Sequence, residues 1–108
     1  MPISFPSPAF CQLGGIYDLI GVPILNNFQD QITGIVFGVF HNSIGQTLEI
    51  STATETLGAG QNLTAYITMG PMQNGSVLPR GNYSIDIFVW TPIGVPLSPK
   101  QTVQLTCG

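Results

Sequence analysis

The chain has 108 residues, of which two are basic and five acidic, and its formal net charge is −3. An ordinary soluble domain has about a quarter of its residues charged. One Arg and one Lys exclude nucleic-acid binding, which needs a basic surface to displace counterions. An apolar content of 44% excludes intrinsic disorder as the default, and no run of apolar residues is long enough for a membrane-spanning helix.

The first ten residues contain three prolines, Pro2, Pro6 and Pro8, which cannot donate a full ladder of hydrogen bonds. We therefore expect residues 1–10 to form an arm, either flexible or packed on a neighbouring molecule, ahead of one domain over residues 11–108. The arm lacks the basic residues and the apolar run of a signal peptide. An exported protein would then have lost its signal or would leave its cell by another route, for instance within a virion.

Alternation of apolar and polar residues with period two recurs along the chain and predicts short, half-buried β-strands. A weak strand is expected from Cys11 to Ile20, and clearer ones over 35–40, 47–51, 63–69, 83–90 and 102–107. The strand over 35–40 is apolar on both faces, which predicts a central position. Turns rich in Gly and Pro separate these runs, and no helical stripe is present. The pattern predicts an all-β protein, a sandwich of six to seven antiparallel strands.

The two cysteines, Cys11 and Cys107, lie near the two ends of the expected domain. We expect a disulfide that joins the first and last strands; the alternative is two buried thiols, since a zinc site would need further ligands. Closing a loop of about 100 residues stabilises by roughly 4–5 kcal/mol in the chain-entropy model. A disulfide indicates an oxidising compartment or the cytosol of a hyperthermophile.

Candidates for catalysis or metal binding are few. His41 is the only histidine, and a small hydrolase would need it beside a serine and an acid. The acids are scattered and show no spacing of a calcium loop. Asp86 is unusual because it lies in mid-strand, where it either points to solvent beside Thr or Lys or pairs with Arg80 or Lys100. We therefore expect no catalytic, cofactor-binding or metal-binding residues.

Three N-x-S/T sequons begin at Asn62, Asn74 and Asn82. They are candidate glycosylation sites, and glycans would keep a surface with little charge soluble. The alternative is that these are turn asparagines that happen to precede hydroxyl residues.

Phe88 and Trp90 share one face of a predicted strand whose other face is apolar. If the other face points to the core, the two aromatic side chains lie outside and form a contact surface. Val36 and Phe40, on the second face of their strand, are expected to extend it. The alternative is that Phe88 and Trp90 pack under the loop over 92–99. Unpaired strand edges offer another route to assembly.

Two segments resemble immunoglobulin-like modules of bacterial and archaeal surface proteins. The segment Leu57-Gly58-Ala59-Gly60-Gln61 resembles the L-x-x-G-Q turn that precedes a strand in such modules. The segment over 78–85, LPRGNYSI, resembles their L-P-x-G-x-Y-x-I motif at the start of a late strand. The segments over 88–90 and 96–99 are similar to the ends of such domains in secreted proteins of thermophilic archaea. The resemblance covers about residues 32–107 and implies an immunoglobulin-like β-sandwich without shared catalytic residues, used as a spacer, adhesive unit or filament subunit.

We therefore expect a non-enzymatic structural subunit of an extracellular assembly, such as an archaeal surface filament, a surface layer or a virion. Charge keeps free proteins apart, so a surface with so few ionic groups is expected to be covered by copies of itself or by other structural subunits. The alternative is a carbohydrate-binding or adhesive module that holds glycans through Trp90 and Tyr66 or Tyr83.

Overall fold

The computed structural model describes residues 1–14, 17–69 and 81–107, with side chains except at 13–14, 17–18, 69, 81–82 and 106–107. These residues form strands and connecting loops, and the described part of the chain contains no helix. The strands are β1 (Ile3–Ser4), β2 (Phe10–Gly14), β3 (Tyr17–Asn26), β4 (Ile32–His41), β5 (Thr47–Leu57), β6 (Asn62–Met69), β7 (Gly81–Trp90) and β8 (Gln101–Cys107).

Two antiparallel sheets pack face to face, which confirms the expected β-sandwich. In the first sheet β3 is central, with β6 on one side and both β1 and β2 on the other. The second sheet has the order β5-β4-β7-β8. The chain crosses between the sheets after β3, β5 and β6.

Eight strands replace the expected six to seven because the weak strand from Cys11 to Ile20 is two strands and the proline-rich lead adds another. Gly14 of β2 pairs with Tyr17 of β3, so the glycine interruption separates two antiparallel partners. β3 also runs further than expected, to Asn26, because the stretch from Val22 to Leu25 keeps alternating between the core and the outer face.

Parts of residues 1–10 belong to the first sheet, since residues 3–4 form β1 and residue 10 begins β2. Ile3 is fully buried, pairs with Asn26 of β3 and donates its N–H to the Leu97 carbonyl at 2.9 Å. Of the three prolines expected to prevent pairing, Pro6 and Pro8 occupy the gap between β1 and β2, and Pro2 precedes β1. Pro23 lies in β3 opposite this gap. The N–H groups that the prolines lack are therefore missing at a point where β3 pairs with neither β1 nor β2.

The core lies between the two sheets and consists almost entirely of aliphatic side chains. Alternate residues of β3, β6 and β7 point inward, as the period of two requires. The fully buried side chains are Ile3, Ile20, Val22, Ile24, Val36, Phe40, Ala65, Ile85 and Ile87, with Leu57, Ile67 and Val89 1% exposed. Burying each of the larger ones stabilises by roughly 1.5–3 kcal/mol.

Gly38 of β4 lets the two sheets approach closely at the centre of the core. A Cβ at this position would clash with Ile67 Cδ1 of the opposite sheet and lie 3.0 Å from Ile85 Cδ1. The absence of a side chain therefore makes room for two isoleucines.

We expect Gly38→Ala to lower the free energy of unfolding by about 1–3 kcal/mol, because the added methyl overpacks the core. Adding Ile67→Val, which removes the clashing methyl, should recover part of this loss. Urea unfolding of the two single variants and the double variant measures the coupling, and Gly58→Ala is the matched control because its Cβ would meet nothing nearer than 3.6 Å. Strict additivity of the two changes would contradict the proposed contact.

Asn26 is a fully buried polar side chain that holds two turns together. Its Nδ2 donates to the carbonyls of Asp30 and Gly58, both at 2.9 Å, and lies 3.3 Å from the Leu57 carbonyl. Its Oδ1 accepts the N–H of Phe28 at 2.9 Å. The connection after β3 is thereby tied to the connection after β5.

We expect Asn26→Asp to destabilise the fold by about 3–5 kcal/mol at pH 7, because an unpaired carboxylate would face the three carbonyls. Burial raises the pKa of such a carboxyl in the folded state, so the penalty should shrink as pH falls towards 3.5. Asn26→Ala loses the same hydrogen bonds without a titrating group, so its cost should not depend on pH. Thermal unfolding at the two pH values distinguishes the variants, and an equal pH response would contradict this assignment.

Candidate functional site: the outer face of the second sheet

Three aromatic side chains form a cluster on the solvent side of the second sheet. Phe37 of β4 pairs directly with Phe88 of β7, and Trp90 follows two residues along β7. The ring centroids lie 5.1 Å apart for Phe37–Phe88, 5.4 Å for Phe37–Trp90 and 5.0 Å for Phe88–Trp90. Ile85, Ile87 and Val89 point into the core, so the alternation of β7 forces Phe88 and Trp90 outside.

The cluster continues into a wider apolar surface, here called the aromatic face. Besides the three aromatic residues it comprises Ile35 and Val39 of β4 and Ile50 of β5. Ile50 is 62% exposed and Trp90 is 37% exposed, so the surface is open to solvent. Contiguous exposed apolar surface of this kind is typical of interaction sites.

Phe88 and Trp90 thus lie on the outer face, and Trp90 also forms an isolated antiparallel bridge with Pro96 of the loop after β7. Val36 and Phe40 do not join them, because both are fully buried in the core. Val36 pairs with Val89, which also points inward, and directly paired residues share a face. Phe37, which the sequence interpretation did not select, takes their place. The pairing of β4 with β7 is the signal that would have identified it.

A row of threonines borders the aromatic face along β5. Thr52 pairs with Phe37 and Thr54 with Ile35, and Thr56 pairs with Thr33, with 3.0 Å between the two hydroxyl oxygens. This border offers hydroxyl groups and methyl groups but no charge. The surface therefore suits a partner that is also uncharged.

A chain of hydrogen bonds crosses all four strands at the other end of the same face. His41 Nε2 lies 3.1 Å from Asp86 Oδ2, and His41 Nδ1 lies 3.2 Å from Thr47 Oγ1. Thr102 Oγ1 donates to Asp86 Oδ1 at 2.6 Å. Asp86 therefore pairs with His41 and Thr102. Arg80, one of its expected partners, lies outside the described residues.

The pKa of Asp86 is lowered from its ordinary value of 3.8, mainly by the Thr102 hydrogen bond. Partial burial opposes this shift, and the hydrogen bond from His41 and the positive charge of Lys100 assist it. The carboxylate thus stays ionised to a lower pH than a free aspartate.

A small hydrolase would need His41 beside a serine and an acid. A hydroxyl, an imidazole and a carboxylate do lie in a row, with Thr47 in place of the expected serine. Thr47 and His41 are, however, partners in the strand ladder, so their N–H groups lie in the plane of the sheet. An oxyanion would form above that plane and needs donors aimed at it. These hydrogen bonds tie β4 to both of its neighbours, β5 and β7.

We expect Thr102→Val to raise the pKa of Asp86 towards 3.8, because the shortest hydrogen bond to the carboxylate is lost. Ionised Asp86 stabilises the fold above its unfolded-state pKa, and this contribution disappears as pH falls through the lower folded-state pKa. The variant should therefore be less stable than the wild type at pH 7. Its free energy of unfolding should also fall less than that of the wild type when the pH is lowered. Titration of the Asp86 carboxyl carbon by NMR measures the shift, with Thr52→Val on the same face as the control; an unchanged pKa would contradict the assignment.

The aromatic residues of the carbohydrate-binding alternative do not lie together. Trp90 belongs to the aromatic face, Tyr66 is 46% exposed on the first sheet, and Tyr83 is 7% exposed and points inward. Phe37 and Phe88 stack on each other with an interplanar angle of 15°, so each uses one ring face for the other ring.

The remaining predicted residues are only partly placed. Cys11, on the edge strand β2, is disulfide-bonded. The side chain of Cys107 lies outside the described residues, so the expected pairing of Cys11 with Cys107 stays a prediction. Asn62 is exposed at the start of β6, whereas Asn74 and the side chain of Asn82 lie outside the described residues.

No group of three or more metal-ligating side chains occurs among the described residues. A shallow groove of about 310 Å³ lies at the β4–β5 turn, and the described residues that line it include no acid, base or thiol. These residues are Asn42, Ser43, Gly45, Tyr83, Ser84 and Gln104.

Comparison with known proteins finds no family model that matches the chain and no curated protein with a significantly similar sequence. Within the described residues, no helix is long and apolar enough to cross a membrane.

Proposed function

We propose that the protein is a non-enzymatic structural subunit of an extracellular assembly, such as an archaeal surface filament, a surface layer or a virion. The aromatic face is its contact surface, and the partner is another copy of the chain. The observation that carries this proposal is the aromatic cluster of Phe37, Phe88 and Trp90, open to solvent on an almost uncharged sheet.

The low charge of the chain supports a partner of the same kind. Seven ionisable Asp, Glu, Lys and Arg side chains in 108 residues leave little like-charge repulsion between copies. Asp86 is the one acidic side chain on the described outer face of the second sheet, and His41 and Thr102 already bind it. Two such faces can meet without leaving a carboxylate unpaired, which would be costly.

The size of the face limits the strength of a single contact. The whole outer face of the second sheet, with four strands and ten residues in β4 and in β7, covers roughly 600 Å² at about 3.3 Å per residue and about 4.8 Å per strand, and the aromatic face is part of it. A standard interface buries about 800 Å² on each partner. One aromatic face therefore supports a weak contact, and a stable assembly needs more than one contact per subunit.

We expect Phe88→Glu to weaken assembly strongly while the monomer stays folded, because the change puts a charge at the centre of the aromatic face. Loss of the ring contacts should cost about 0.5–1.5 kcal/mol of stability. Sedimentation velocity over a concentration series and negative-stain microscopy measure assembly, and near-ultraviolet circular dichroism checks the fold. Ile93→Glu adds the same charge at a loop residue that is 89% exposed and serves as the control.

In this experiment the wild-type chain should associate as its concentration rises. The Phe88→Glu variant should need at least about a tenfold higher protein concentration to reach the same degree of association. A wild-type chain that remains monomeric at millimolar concentration would overturn the proposal. Equal effects of the two variants would also count against the aromatic face.

A further inference from the structure

The sandwich has four strand edges, and they differ in how they are protected. An exposed edge presents unpaired N–H and C=O groups that can pair with a strand of another chain. Natural sheets block such pairing with prolines, charges, bulges or interruptions. The edges of this protein are the β1–β2 side and β6 in the first sheet, and β5 and β8 in the second.

Three of these edges carry protective features. The β1–β2 edge is interrupted between its two strands. The edge strand β5 has carboxylates on its core-facing side, and its register is irregular opposite Phe40 and His41. The edge strand β8 is preceded by a proline and a lysine. The residues concerned are Pro6 and Pro8, Glu49 and Glu55, and Pro99 and Lys100.

The β6 edge carries none of these features. From Asn62 to Met69 it contains no proline and no charged residue, and its register against β3 is continuous. In the part of the chain that the structure describes, β6 pairs with β3 alone. Among residues 1–14, 17–69 and 81–107, no second strand lies on the other side of these eight residues.

The sequence of β6 is symmetric in polarity about Tyr66. It reads Leu63-Thr64-Ala65-Tyr66-Ile67-Thr68-Met69, so apolar residues and threonines occur at equal distances before and after the tyrosine. An antiparallel partner with the same sequence, centred on Tyr66, would set Thr64 opposite Thr68 and Ala65 opposite Ile67. Each face of such a pair would be matched in polarity.

We propose that β6 pairs with β6 of a second copy, antiparallel and about a twofold axis through Tyr66. The pairing joins the two first sheets into one continuous sheet. It adds ladder hydrogen bonds, two Thr–Thr cross-strand pairs and one Tyr–Tyr pair, which are stabilising neighbours in sheets. Such a contact is isologous, since the same edge serves both subunits.

This inference rests on the proposed assembly function and supplies the second contact that it needs. The β6 edge belongs to the first sheet and the aromatic face to the second, so one subunit can use both at once. Paired subunits can then extend into a chain.

Cysteine cross-linking tests the pairing and its register. Across the twofold axis, the two Tyr66 Cα atoms would be about 4.5 or 5.5 Å apart, within the range of a disulfide. Tyr66→Cys should therefore form a covalent dimer when treated with copper phenanthroline. Thr64→Cys is the matched control, because its copies would be offset by four residues, about 13 Å. A mixture of Thr64→Cys with Thr68→Cys should cross-link again.

We expect the yield of covalent dimer to be at least fivefold higher for Tyr66→Cys than for Thr64→Cys alone. Equal yields, or no cross-link at Tyr66→Cys, would overturn the pairing. A second variant avoids any dependence on disulfide chemistry: Tyr66→Lys places like charges opposite each other and should raise the dimer dissociation constant about tenfold, whereas Ile93→Lys should not.

The Phe88→Glu experiment separates this inference from the proposed function. Weakened assembly in Phe88→Glu without cross-linking in Tyr66→Cys would reject the β6 contact and keep the aromatic face. Cross-linking in Tyr66→Cys with assembly unchanged in Phe88→Glu would support the β6 contact and reject the aromatic face.

Discussion

The antiparallel pairing of β4 with β7 is the constraint on which both the core and the outer surface depend. β4 is apolar on both faces, so its own sequence does not decide which residues point inward. β7 does decide, because Ile85, Ile87 and Val89 alternate with a polar residue and two large aromatics. A slip of one residue would turn every side chain of β4 to the opposite face, exposing Phe40 and burying Phe37.

How far the fold could be predicted follows from the same reasoning. Strands with a clear alternation, such as β6, β7 and β8, follow from the sequence, whereas the outward orientation of Phe88 and Trp90 was one of two alternatives that the sequence left open. The orientation of Val36 and Phe40 could not be predicted, because a strand that is apolar on both faces carries no information about its inward side. It depends on a partner 50 residues away in the sequence.

The first sheet shows a different limit. Prolines normally argue against strand pairing, yet here Pro6 and Pro8 fall in a gap of the ladder and Pro23 faces it. Whether a proline breaks a strand depends on which neighbour lies at that position, and this is known only once the sheet is assembled. The partners of Asp86 are equally non-local, since they come from β4 and β8.

The path of the chain through the sandwich has a mechanical consequence. β1 begins at the end of the molecule where Asn26 meets Leu57, whereas β8 finishes beside Gly81, at the opposite end of a body 42 Å long. Tension applied to residues 3 and 107 would therefore run parallel to the strands. With Cys11 joined to Cys107 as predicted, the disulfide would carry this load from β8 to β2, so the short β1–β3 ladder would be sheared first and the rest of the sandwich would be shielded from the load.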